Sequence, residues 1–175
     1  MVGGKTDRSA ELHVVGEYPG VHRVGLWHNV CIVVWFGPAT GAAARKLGPI
    51  AQTMIDQLDG LQLSYIHVIL DGIALPDAAT RDGLLEITRA YSSHVACVAV
   101  LIAGTGFWAS AFRGFVTGFR VLAPRTFSLR IHTAAAELLE WFPKEHERRT
   151  GVALDPSQLA QTLERACSWR SAHAS

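Results

Sequence analysis

Ser64-Tyr65-Ile66-His67-Val68-Ile69-Leu70-Asp71-Gly72 decides how the rest of the chain is read. Tyr65 to Leu70 is an apolar, β-branched run of strand length, which fits a central strand buried on both faces, and Asp71-Gly72 ends it. Pro76-Asp77 then marks a helix start. From Leu84 the apolar residues fall at Leu84, Ile87 and Tyr91, a helical spacing, and Asp77 or Thr80 is placed to cap the free amides of the first turn. A buried strand, an acidic loop and a capped helix make half of an α/β unit. In open α/β sheets the carboxyl end of such a strand is where ligands and partners dock, so a site is expected to begin at this loop.

Upstream, His22 to Trp27 and Val30 to Phe36 are two strand-like runs joined by His28-Asn29, a two-residue hairpin connection, and they should be antiparallel neighbours. Residues 1–20 mix glycine, charge and one short apolar run, Leu12 to Val15, which also fits an edge strand; the segment as a whole reads as a loosely held arm. Gly37-Pro38-Ala39-Thr40 stops the second strand, with Thr40 as an N-cap. Leu47, Ile50, Ala51, Met54, Ile55 and Leu58 then describe an amphipathic helix. Gly48-Pro49 lies inside it and predicts a kink or a fresh start. Asp59-Gly60 ends it.

Downstream, Val95 to Ala103 is the most apolar run in the chain and reads as the second buried strand, followed by Gly104-Thr105-Gly106. The next helix carries Trp108, Phe112, Phe115, Phe119 and Leu122 on one side and Ser110, Arg113, Thr117 and Arg120 on the other. Thr126 to His132 alternates Phe127, Leu129 and Ile131 inward with Ser128, Arg130 and His132 outward, as a half-exposed edge strand does. Thr133 is read as the cap of a helix that Pro143 closes. Lys144 to Thr150 reads as a solvated linker, and Asp155-Pro156-Ser157-Gln158 as the start of a last helix that packs on the domain or on a second copy. The expected division is an arm (1–20), an α/β domain (21–143) and a linker with a C-terminal helix (144–175).

The chain has 175 residues, enough for one domain with a full core. Sixteen basic and fifteen acidic residues give a formal charge of +1, with no single-sign run that would read as a nucleic-acid footprint. Only 18% of residues are charged, against roughly 25% in ordinary domains. A chain so apolar leaves surface to be covered by a subunit, a partner or a ligand. Cys31, Cys97 and Cys167 are widely spaced and read as reduced thiols, no apolar h-region opens the sequence, and no run approaches the length of a membrane helix, so a cytoplasmic protein without a transmembrane segment is expected.

The order strand, strand, helix, strand, helix, strand, helix, strand, helix, together with the loop Leu70-Asp71-Gly72-Ile73-Ala74-Leu75-Pro76-Asp77-Ala78-Ala79-Thr80, resembles STAS domains, the fold of the anti-anti-sigma factors. Phe127-Ser-Leu-Arg-Ile-His-Thr-Ala-Ala-Ala-Glu-Leu-Leu-Glu-Trp141 is similar to the last strand and helix of their bacterial SpoIIAA-like relatives. The resemblance spans about residues 21–143 and implies a mixed sheet of about five strands with helices mainly on one face. Regulatory members of that family are phosphorylated on a serine after an aspartate at the start of the corresponding helix, in a pattern like Asp-Ser-Ser-Gly. Here Asp77 matches the aspartate, Ala78 and Ala79 fall on the serine positions, and Thr80 falls on the glycine. The resemblance therefore marks Asp71, Asp77 and Thr80 as a switch loop that lacks the usual acceptor hydroxyls.

Nothing in the sequence converges on catalysis. Asp77 and Thr80 are explained as caps and Asp82 as a first-turn carboxylate. Gly104-Thr105-Gly106 lacks the spacing of a phosphate loop and reads as a tight turn. The histidines show no metal-helix spacing, and there is no Gly-x-Ser-x-Gly elbow. The expectation is a non-enzymatic interaction or regulatory module, without metal or cofactor. It should self-associate as a dimer through Phe107, Trp108, Phe112, Phe115 and Phe119, and a regulatory protein is a further expected partner. The alternative is a carrier of a small apolar molecule such as a lipid, since STAS-like folds resemble the lipid-transfer CRAL-TRIO fold and an aromatic helix over a sheet can lid a cavity.

Overall fold

In the computed structural model, which describes residues 11–169, every strand pairs with the one that follows it in the sequence. The strands are β1 (His13–Tyr18), β2 (His22–Trp27), β3 (Val30–Trp35), β4 (Leu63–Leu70), β5 (Val95–Ala103) and β6 (Ser128–His132). The helices are α1 (Gly41–Gln57), α2 (Ala78–Tyr91), α3 (Gly106–Leu122), α4 (Ala135–Thr150) and α5 (Pro156–Cys167), with a 3-10 turn at Ser92–His94. β1, β2 and β3 are antiparallel neighbours, whereas β3 to β6 are parallel. The fold is α/β with a mixed sheet, and both β4 and β5 lie inside it.

The positions of the helices follow from this order. Each parallel step from β3 to β6 advances to the adjacent strand in the same direction, and a right-handed crossover then places its helix on the same face every time. α1, α2 and α3 accordingly share one face, where Leu47, Met54, Phe112 and Val116 pack with Val33, Trp35 and Ile69. The other face would be bare. It is covered by α4 and α5, whose Leu138, Phe142, Leu159, Leu163 and Ala166 pack on Ile32, Val34, Ile66 and Val68. β4 serves both layers by alternation, Ile66, Val68 and Leu70 facing α4 and α5 while Tyr65 and Ile69 face α1 to α3.

Several boundaries differ from the sequence reading. The sheet has six strands, not five, because 13–18 of the expected arm form the edge strand β1. Its side chains are half-exposed and its apolar run is short, so its hold comes from backbone pairing with β2, a term hydrophobic patterning does not register. Gly20, at φ 73°, makes the tight connection to β2. Residues 1–10 of the arm lie outside the described residues. His28, at φ 52°, takes the left-handed turn position between β2 and β3, and Asp59 and Gly60, at 49° and 84°, end the turn after α1. α1 runs through Pro49 without a fresh start.

The larger correction concerns the end of the chain. Pro143 lies inside α4, and residues 144–150, expected to be a solvated linker, are its last two turns. They stay helical because His146 is fully buried and Glu145 is fixed by Arg148 and Arg149. The helix ends at Gly151 in the left-handed conformation, φ 72°. At its start the N-cap is Ala134, without a side-chain bond, and not Thr133. α5 packs on the sheet of the same chain, so 144–167 belong to the domain. His132, expected to point outward, is buried, with its ring 5.4 Å from that of Trp141, because α4 covers that end of β6.

Candidate ligand cavity

A cavity of about 150 Å³ lies between the sheet and the layer formed by α1, α2 and α3. Its floor is the face of β2 to β5 that carries Val24, Cys31, Val33, Trp35, Tyr65, His67, Ile69, Val98 and Val100. Its roof is made by Leu47, Ile50, Ala51 and Met54 of α1, Leu84, Ile87 and Tyr91 of α2, and Phe112, Phe115, Val116 and Phe119 of α3. Among the described residues no Asp, Glu, Lys or Arg lines it. α1 and α2 pack closely on each other, and α3 meets α2, β5 and β6, with Ala109, Phe112 and Val116 buried beneath it.

Strand register sets a row of rings across the floor. His22 on β2 is the cross-strand partner of Trp35 on β3, and Val33, two residues before Trp35, is the partner of His67 on β4. The rings of His22 and Trp35 meet edge-on at 4.8 Å, Trp35 and His67 stack at 6.4 Å, and Tyr65 and His67 stack at 6.1 Å. The Trp35 indole N–H donates to Nδ1 of His67 at 3.2 Å. His22 donates from Nε2 to the carbonyl of Ala43 in α1 at 3.1 Å, which ties the first helix to the sheet beside the cavity.

These contacts fix the charge of the site. Burial lowers the pKa of His67 to about 4, with the neighbouring His22 adding to the effect, so the imidazole is neutral at pH 7. Burial likewise lowers His22, opposed by its bond to Ala43. It raises Cys31, and it holds Tyr65 well above the usual phenol range, with Cys31 and Tyr91 adding to the shift. Because Nδ1 of His67 accepts the Trp35 N–H, the neutral ring carries its own proton on Nε2. Among the described residues neither that Nε2–H nor the Tyr65 hydroxyl has a hydrogen-bond partner, and neither atom is sealed from the cavity. The site is uncharged and mostly apolar, with two adjacent polar groups on its floor.

The aromatic residues of α3 fall as follows. Phe112 is buried, Trp108 and Phe115 are half-buried and packed against the same core, and Phe119, also half-buried, lines the cavity. The stripe is therefore roof and core within this one chain. Phe107, 89% exposed, is the most exposed member of the expected interaction surface. Trp108 also locks the start of the helix, donating its indole N–H to the carbonyl of Ile73 at 2.7 Å.

At the expected switch loop, Asp77 caps α2, its Oδ1 accepting from the amide of Thr80 at 2.7 Å and from the Thr80 hydroxyl at 2.7 Å. That hydroxyl also lies 3.1 Å from the carbonyl of Ala39, and Thr80 is fully buried. The Thr80 hydroxyl and amide hold the Asp77 carboxyl below its ordinary pKa. Asp71 is exposed and joins neither of them by a hydrogen bond or ion pair. In Gly104-Thr105-Gly106, a Cβ on Gly104 would come within 2.6 Å of the Trp108 ring, so this glycine serves close packing.

Sequence reasoning singled out the roof and missed the floor. The available signal was His67: a histidine in a strand buried on both faces, with Tyr65 two positions before it on the same side, marks a polar pair set into an apolar layer. A second buried network on the opposite face, Ser64 with Cys97 and His146, was hidden by the misread end of α4. Among the described residues no group of three or more His, Cys, Asp or Glu is placed to hold a metal ion, and no helix is long and apolar enough to cross a membrane. No family model matches the chain, and no curated protein matches it.

Proposed function

We propose that the chain is a non-catalytic binding protein for a small apolar molecule, held between the sheet and α1 to α3. The observation that carries this reading is the uncharged cavity of about 150 Å³ under α3. Well-packed cores hold few voids larger than a water molecule, and an engineered apolar cavity of roughly this volume takes up benzene or xenon. Leaving such a space open costs stability that a bound ligand restores.

Binding is favoured over turnover because His67, with its pKa near 4, is a weak base at neutral pH, and the Cys31 thiol is held protonated by burial. The cavity is favoured over self-association through α3 because Phe112, Phe115 and Phe119 are directed at the sheet.

Native mass spectrometry of freshly purified protein, with thermal unfolding in the presence of xenon or small hydrocarbons, tests the proposal. Ligand at a hundred times its Kd should stabilise the fold by about 2.7 kcal/mol. Ala51, 4% exposed and part of the roof, gives the control. Ala51→Leu should fill the space and abolish the effect, and equal stabilisation of the variant and the parent would refute the site.

A further inference from the structure

Resting on the cavity reading above, we infer that its ligand is an uncharged single-ring aromatic molecule carrying one oxygen, of phenol type, with the oxygen at Nε2 of His67 and the hydroxyl of Tyr65. Four observations narrow the class. The volume of about 150 Å³ accommodates one ring and its substituents. The walls are aromatic on two sides, Trp35, Tyr65 and His67 below and Phe112, Phe115 and Phe119 above, so a ring finds both faces and edges to pack against.

The third observation is the absence of any charged side chain in the lining among the described residues, together with a neutral His67. A carboxylate or an ammonium entering here would lose its hydration without gaining a counter-charge. The fourth is the pair of unused polar atoms. The indole N–H of Trp35 occupies Nδ1 of His67 and forces the proton to Nε2, which leaves that nitrogen a donor in need of an acceptor. The Tyr65 hydroxyl, in the adjacent stacked ring, both donates and accepts. A phenolic oxygen satisfies the set: it accepts from Nε2–H and gives its own proton to the Tyr65 oxygen. A hydrocarbon of the same shape leaves both groups unpaired.

The probes are p-cresol, toluene, benzoate and dodecanoate, titrated calorimetrically into the full chain and into Tyr65→Phe. For the parent, p-cresol should bind on the order of tenfold more tightly than toluene, the worth of one or two hydrogen bonds in a dry site, while benzoate and dodecanoate give no saturable binding. Tyr65→Phe, which keeps the ring, should narrow the p-cresol to toluene ratio and leave toluene affinity unchanged. Equal affinity for toluene and p-cresol in the parent overturns the oxygen contact and leaves the cavity function standing. Preference for dodecanoate overturns the ligand class, again with the function standing. Absence of binding by all four, with no response to xenon, removes both.

Discussion

Ser64 on β4 and His146 on α4, 82 positions apart in the chain, share a hydrogen bond of 2.8 Å in the interior of the protein. The Ser64 oxygen also accepts the Cys97 thiol proton at 3.3 Å. The last helix-forming residues that sequence patterning assigned to solvent are thus anchored to the strand at the centre of the sheet.

That contact makes stability depend on acidity. Burial, with His28 adding to it, lowers His146 to about 4, as burial does for His67 on the other face. The unfolded chain protonates these imidazoles near their ordinary value of 6.5, while the folded chain refuses the proton until about pH 4. Their contribution is therefore complete above pH 6.5 and is lost as pH falls from 6.5 towards 4, by up to ~1.4 kcal/mol per pH unit for each ring. Glu145, held near 2 chiefly by Arg148, loses its contribution only as pH falls from 4.5 through 2, below this window. Urea midpoints at pH 7.5 and pH 5.5 should differ, with the lower at pH 5.5, and His146→Gln should flatten the difference. Identical midpoints would exclude the effect.

Phe112 and Phe107 lie on one helix and should behave oppositely. Phe112, 3% exposed, packs in the core beneath α3, and Phe112→Ala should cost about 3 kcal/mol of unfolding free energy. Phe107→Ala should stay within ~0.5 kcal/mol. A charged residue at 112 should unfold the protein; if it instead yields a folded, smaller species on sedimentation, the stripe is an interface.

Glu145 gathers Arg148, Arg149 and the Ser128 hydroxyl, and its side chain is only 12% exposed. Arg148 is 62% exposed. Glu145→Gln should lower stability by about 1–2 kcal/mol, since it weakens charge-assisted bonds to a half-buried Arg149. Arg148→Ala should cost less than that, because its side of the ion pair is solvent-screened. Chemical denaturation of the two variants side by side checks the ranking, and equal losses would contradict it.

Gly104→Ala places a methyl group within 2.6 Å of the Trp108 ring and 2.9 Å of the Asp71 carboxylate. Trp108 must move, and its bond to the Ile73 carbonyl stretches or breaks. A loss of roughly 1–3 kcal/mol is expected, with a shift in tryptophan emission as the indole meets water. Unchanged emission would show that the loop accommodates the methyl group by other means.

The sequence made β4, β5 and the helix between them legible because their apolar residues repeat with a clean period and because Asp77 and Asp155 cap helices by local bonds. It misjudged β1, whose place depends on backbone pairing with β2, and the end of α4, where a buried histidine and a self-paired carboxylate look like solvated residues in one dimension. The roof of the cavity was visible as an aromatic stripe. The floor was not, because Trp35, Tyr65 and His67 come from strands that are adjacent in space by register, and nothing in a single sequence sets that register before the sheet forms.

Since each strand pairs with its immediate successor, the sheet can grow by addition at one edge as the chain leaves the ribosome, without waiting for distant segments. Its two faces do not mature together. The face under α1, α2 and α3 is covered step by step, because those helices are made between the strands they join. The opposite face, with Ile32, Val34, Ile66, Val68 and Leu101, stays open to solvent until α4 and α5, which follow all six strands, have been synthesised. A nascent chain stalled or cut before residue 135 therefore carries a nearly complete sheet with one sticky side, the form most prone to aggregate. The span from Ala135 to Cys167 is what closes that side.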